Sequence, residues 1–120
     1  MRPEAEAAER AAVRQFRIEA KARQAAKLAE IREALFAAGY DSAAKQGAVL
    51  GVGRSTAWWL LNHDRKAGPS AKVIKRILSS PHVPPAVRRK VEEYVNQKIS
   101  GLYGHSEQQT QWFSHQFQPS

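Results

Sequence analysis

From Glu4 to Ala38 the chain contains neither glycine nor proline, and it is built mostly of Ala, Glu, Arg, Lys, Gln and Leu. These residues have the strongest intrinsic preference for helix, so the first third of the chain has one reading, a single long helix opening at Pro3. Glu6/Arg10 and Glu19/Arg23 are spaced i,i+4 in the favourable order, and Gly39 is a natural C-terminal stop. Such a helix is roughly 50 Å long at about 1.5 Å per residue, longer than a small domain can cover. Leu28, Ile31, Leu35 and Ala38 form an apolar stripe expected to dock on a domain. Val13, Phe16 and Ala20 form a second, short stripe, with Lys21 and Gln24 at the positions that would continue it. The expected organisation is therefore a helical arm over 1–27 with some capacity to self-associate, a bundle over 28–100 and a tail over 101–120.

Beyond Gly39 the spacing changes to short amphipathic segments. Asp41 or Ser42 can cap a helix to about Leu50, Gly51-Val52-Gly53 interrupts it, and a second short helix runs from Arg54 to about His63. Ser70 caps a helix carrying Val73, Ile74, Ile77 and Leu78. After a proline-rich break, Pro85 opens a last helix with Val87, Val91, Tyr94, Val95 and Ile99 on one face. The tail is rich in Gln, Ser and His and reads as disordered, with Trp112, Phe113 and Phe117 as residues that could dock. No strand pattern occurs. The expectation is an all-α fold, a small helix-turn-helix bundle of about five helices with a long N-terminal helix and a disordered C-terminal tail.

Charge narrows the partner. The chain carries a formal +8, unevenly distributed. Between Gly39 and Ser80 the cations Lys45, Arg54, Arg65, Lys66, Lys72, Lys75 and Arg76 face only Asp41 and Asp64. In residues 1–38 acids and bases nearly balance. A basic middle is what a phosphate-contacting module needs, although Lys72, Lys75 and Arg76 read better as a solvent face. There are no cysteines, and His63, His82, His105 and His115 lack ligand spacing, so no metal site is expected. Gly51-Val52-Gly53 lacks the further glycine or lysine of a nucleotide loop. Neither a cofactor nor enzymatic activity is expected. The opening residues are not a signal peptide and no apolar run is long enough to span a bilayer, which gives the expectation of a cytoplasmic, nucleoid-associated protein without a membrane partner.

Two short helices joined by a glycine turn must cross steeply, which makes three demands. A small residue is needed where they touch, and Gly47 or Ala48 supplies it. A glycine is needed where the backbone turns left-handed, and Gly51 supplies it. Apolar residues must lock the second helix, and Ala57, Leu60 and Leu61 can do so against Val49, Leu50 and Val52. Arg54, Ser55, Trp58, Trp59 and Asn62 are left outward, and an Arg and a hydroxyl in the first turn suit base edges in a major groove.

The segment Leu50-Gly51-Val52-Gly53-Arg54-Ser55-Thr56-Ala57-Trp58-Trp59-Leu60-Leu61-Asn62 resembles the turn and recognition helix of lambda repressor-like helix-turn-helix DNA-binding proteins. It is also similar to the Lac repressor headpiece. The resemblance covers roughly residues 28–78. It implies base contacts from Arg54 and Ser55, a base-facing site at Trp59, a phosphate contact from Thr56, and further contacts from Arg65 and Lys66 in the following loop. Lys45, on the first helix of the motif, falls where phosphate clamping is common. The adjacent tryptophans depart from the pattern, since small or polar residues are more usual there. Trp58 and Trp59 either meet DNA, at a thymine methyl or the backbone, or turn an indole inward against the last helix. The function implied is a sequence-specific regulator of transcription binding double-stranded DNA as a homodimer. The alternative is a phage-type adaptor, such as a small terminase subunit, that binds DNA and recruits a protein partner through the arm or tail.

Overall fold

The computed structural model describes residues 2–62 and 68–118, with side chains for all of these except Leu61 and Asn62. Six helices and no strand are found among them: α1 (Pro3–Ala37), α2 (Ala43–Leu50), α3 (Arg54–Asn62), α4 (Ala71–Ser79), α5 (Pro85–Ile99) and α6 (Glu107–His115). The protein is all-α, with one helix more than the sequence suggested. Among the described residues no helix is long and apolar enough to cross a membrane.

α1 is 35 residues long, about 52 Å at 1.5 Å per residue. It ends in a left-handed Gly39, φ +97°, with the Tyr40 N–H returning to the Leu35 carbonyl at 2.9 Å, a Schellman-type close. Ala38, expected on the docking stripe, is instead the exposed C-cap. The two apolar stripes also prove to be one. Ala20, Gln24, Lys27, Leu28, Ile31 and Leu35 are all buried and follow Val13 and Phe16 in helical phase. Polarity at Gln24 and Lys27 hides this continuity, because both are buried with partners. Gln24 accepts from the Tyr94 hydroxyl at 3.0 Å. Lys27 bridges Glu30 at 2.7 Å and Glu93 of α5 at 2.9 Å, and Lys90 closes the cluster on the same carboxylates at 3.5 and 3.4 Å. Burial opposes the Lys27 charge, but the two carboxylates outweigh it and raise its pKa; their own pKa values are lowered, chiefly by the hydrogen bond from Lys27.

The core is a single cluster in which Leu28, Ile31 and Leu35 of α1 meet Leu50, Ala57, Ile74, Ile77, Val87, Val91 and Tyr94. The apolar faces expected for α4 and α5 are the ones buried, with Val73, Leu78 and Ile99 at the margin.

The disordered tail is the clearest correction. Ser106 caps α6 by a reciprocal capping box with Gln109, which satisfies two orphan N–H groups at once. Phe113 is buried and packs against Phe117, the rings tilted at 46° with centroids 4.9 Å apart. The Lys98 ammonium of α5 lies 4.5 Å above the Phe113 ring, a cation–π contact that suits a lysine of small exposure. Just before α6, Tyr103 stacks on Tyr94 at 5.2 Å. A segment with few aliphatics thus orders itself through one cap and two aromatic anchors.

Candidate nucleic-acid interface

The α2–α3 corner is built from its turn outward. Ser42, rather than Asp41, caps α2 by accepting from the Lys45 N–H at 3.2 Å. At the other end Gly51 is left-handed, φ +75°, ψ +25°, and the Val52 N–H donates to the Gly47 carbonyl at 2.9 Å. Of the two small residues that could sit at the crossing, the structure selects Gly47. A Cβ there would lie 3.0–3.1 Å from the Val52 carbonyl oxygen and the Gly53 backbone, whereas Ala48 is exposed. Ala57 and Leu60 of α3 are buried together with Val49, Leu50 and Val52, so α3 is held by its inner face. Leu61 belongs to α3, but its side chain lies outside the described residues.

Three residues that the sequence did not single out brace this corner. The buried Gln46 amide donates to the Tyr40 carbonyl at 3.0 Å, fixing the entry to α2. The buried Ser80 hydroxyl donates to the Val49 carbonyl at 2.8 Å. Arg88 of α5 donates to the carbonyls of Leu78 and Ser80 at 2.6 and 2.9 Å. These bonds satisfy carbonyls at helix ends that would otherwise lack partners. Each joins positions far apart in the chain or across a bend, and no local spacing announces them.

The outer face of α3 carries Arg54, Ser55, Thr56, Trp58 and Trp59, all exposed. Arg54 and Ser55 sit in its first turn, where backbone N–H groups and the positive helix end favour an anion. Trp58 and Trp59 are 45% and 42% exposed and meet edge to face, centroids 5.7 Å apart at 88°. Neither indole belongs to the buried core. Ser55, Thr56 and Trp59 border a cavity of about 230 Å³ whose far wall includes Leu28 of α1. The expected residues Arg54, Ser55, Thr56, Trp58 and Trp59 therefore share one accessible surface. Lys45 lies apart on α2, exposed and paired with Asp41 at 3.0 Å; its hydrogen bond holds the Asp41 carboxyl below its ordinary pKa. Asn62 belongs to α3 by its backbone, but its side chain lies outside the described residues, as do Arg65 and Lys66.

Lys72, Lys75 and Arg76 are exposed on α4, so every described cation of the basic middle is accessible. The surface offers a guanidinium, two hydroxyls and two indole faces on a helix locked from behind. Such a set can donate to base edges and phosphates and make apolar contact with base methyl groups. Among the described residues no group of three His, Cys, Asp or Glu side chains is placed to hold a metal ion. No protein-family model, no curated protein and no solved structure matches this chain.

Proposed function

We propose that the protein is a sequence-specific double-stranded DNA-binding regulator of the lambda repressor-like helix-turn-helix kind, with α3 entering the major groove. One observation carries this reading. The left-handed Gly51 and the Cβ-free Gly47 let α3 cross α2 closely, and the crossing leaves Arg54, Ser55, Trp58 and Trp59 exposed on a helix whose opposite side is fixed in the core. Recognition helices need that division between a locked back and a free front. Arg54 is the candidate for bidentate contact with guanine and Ser55 for a second base. Thr56 is the candidate for a phosphate, with Lys45 as a weaker one. The indoles are suited to thymine methyls or the sugar–phosphate wall.

The protein works as a homodimer in this reading, with half-sites about 34 Å apart. Supporting this, Val13 and Phe16 continue the buried face of α1 yet are about half exposed at 50% and 49%.

Selection of bound fragments from random duplex DNA at near-physiological salt tests the proposal. Recovery of one palindromic motif is expected, and unselective recovery overturns the regulator reading. Sedimentation should give a dimer, whereas a ring of eight or more copies would favour a packaging adaptor instead.

A further inference from the structure

The arm over 1–27 carries seven Lys and Arg against four Glu, and the excess is gathered on one side. At 3.6 residues per turn, Arg10, Arg14, Arg17 and Lys21 follow one another at i, i+4, i+7 and i+11, which puts all four on one stripe of α1. Glu4 and Glu19 fall on other faces, while Glu6 and Glu9 border the stripe. The four cations are exposed. Glu19 pairs with Arg23 at 3.7 Å, off this stripe. The stripe is about 16 Å long at 1.5 Å per residue.

The direction it faces can be read further along the same rigid helix. Leu28 stands one heptad after Lys21 on this stripe, and it shares its cavity with Ser55, Thr56 and Trp59 of α3. Lys27, on the neighbouring face, points instead to Glu93 of α5. The cationic stripe therefore lies on the α3 side of α1, and the acids Glu9 and Glu19 lie toward the α5 side. An uninterrupted helix from Pro3 to Ala37 keeps that azimuth fixed.

We infer that the N-terminal arm of α1 is a second nucleic-acid contact, in which Arg10, Arg14, Arg17 and Lys21 hold the phosphates of a duplex beside the stretch that α3 occupies. The inference rests on the proposed DNA-binding role of α3 and adds a site to it. The ligand is the polyanionic backbone alone, since four long cations on a smooth helix offer no pattern for reading bases. The stripe matches roughly five base pairs of rise at 3.4 Å each.

The test compares the full chain with the triple variant Arg10→Gln/Arg14→Gln/Arg17→Gln, which keeps good helix formers at every position. Circular dichroism should show unchanged helix content. Binding to a random-sequence duplex and to the selected site should weaken by the same factor, tenfold or more. The slope of log affinity against log salt should shrink by about 5 for the dimer, near 0.9 for each of the three phosphates lost per arm. A hydroxyl-radical footprint should shorten by about half a turn at each half-site. An unchanged slope overturns the arm contact while leaving the α3 reading intact, provided Arg54→Ala still relaxes specificity. A reduced slope with an unchanged footprint also overturns it, because only net charge would then have mattered. Absence of any duplex binding by the unaltered chain would overturn both.

Discussion

Single atoms decide the α3 surface and its support. Arg54 is exposed on α3 and is not one of the core residues, so Arg54→Ala should leave stability within about 0.5 kcal/mol. Affinity for the selected site should fall by about 1–3 kcal/mol, with discrimination lost at one base pair; competition binding against single-base variants of the site reads this directly. Gly68 gives the opposite case, a residue without chemistry whose size is fixed by its neighbours. Its φ is +69°, and an added Cβ would strike the Tyr94 hydroxyl and lie 2.7 Å from the Gln24 amide oxygen. Those two atoms form the buried hydrogen bond joining α1 to α5. Gly68→Ala should therefore cost about 2–5 kcal/mol, from left-handed strain and overpacking together. Gly39→Ala, also at positive φ but with nothing within 4 Å, should cost only the strain, about 1–2 kcal/mol. Urea denaturation of the two variants separates the terms.

Element by element, the sequence is legible where one local rule governs. Glycine-free composition gives α1, Ser70 and Pro85 open α4 and α5, and the Gly51 turn follows from the need for positive φ. Legibility stops where a long-range partner changes a residue's meaning. Gln24 reads as a break in an apolar stripe because Tyr94 lies 70 residues away, and the burial of Lys27 goes unread because Glu93 lies 66 away. The α3 side of the site was readable from its outward positions, yet Gln46, Ser80 and Arg88, which brace it, were not. Trp58 and Trp59 could not be assigned to core or surface by size alone, since large aromatic residues occur in both. The tail failed for a related reason: low aliphatic content argued disorder, but Phe113 joins the core cluster, with the Lys98 ammonium over its ring and Phe117 beside it. Phe113→Ala should accordingly cost about 3–5 kcal/mol if α6 is part of the cooperative fold. Thermal unfolding should then remain a single transition at a lower Tm, and an unchanged Tm would show α6 to be dispensable.

At the scale of the whole molecule, the junction of α5 with α6 makes stability depend on alkaline pH in two opposed ways. Burial pushes the pKa of Lys98 down to about 8, whereas in the unfolded chain a lysine titrates near 10.4. Below about pH 8 the folded protein carries the full cost of a buried ammonium. Between about 8 and 10.4 the unfolded state binds more protons than the folded one, so stability must rise with pH. Tyr94 and Tyr103 act in the reverse sense. Burial raises both, Tyr103 also by the charges of Glu30 and Glu93 and Tyr94 by Tyr103. Above about pH 10 the unfolded chain releases phenolic protons that the folded one retains, and stability must fall. The raised Lys27 adds to this fall, since its ion pairs are lost as pH passes through its folded value. Tm should therefore climb from pH 8, peak near pH 10 and drop beyond it. Lys98→Met removes the buried charge while keeping the chain's bulk, so its Tm should be flat from pH 7 to 9.5 and still fall above 10. A wild-type Tm that is flat or falling between pH 8 and 9.5 would mean that the ammonium over Phe113 is not desolvated, and that α6 does not close over it in solution.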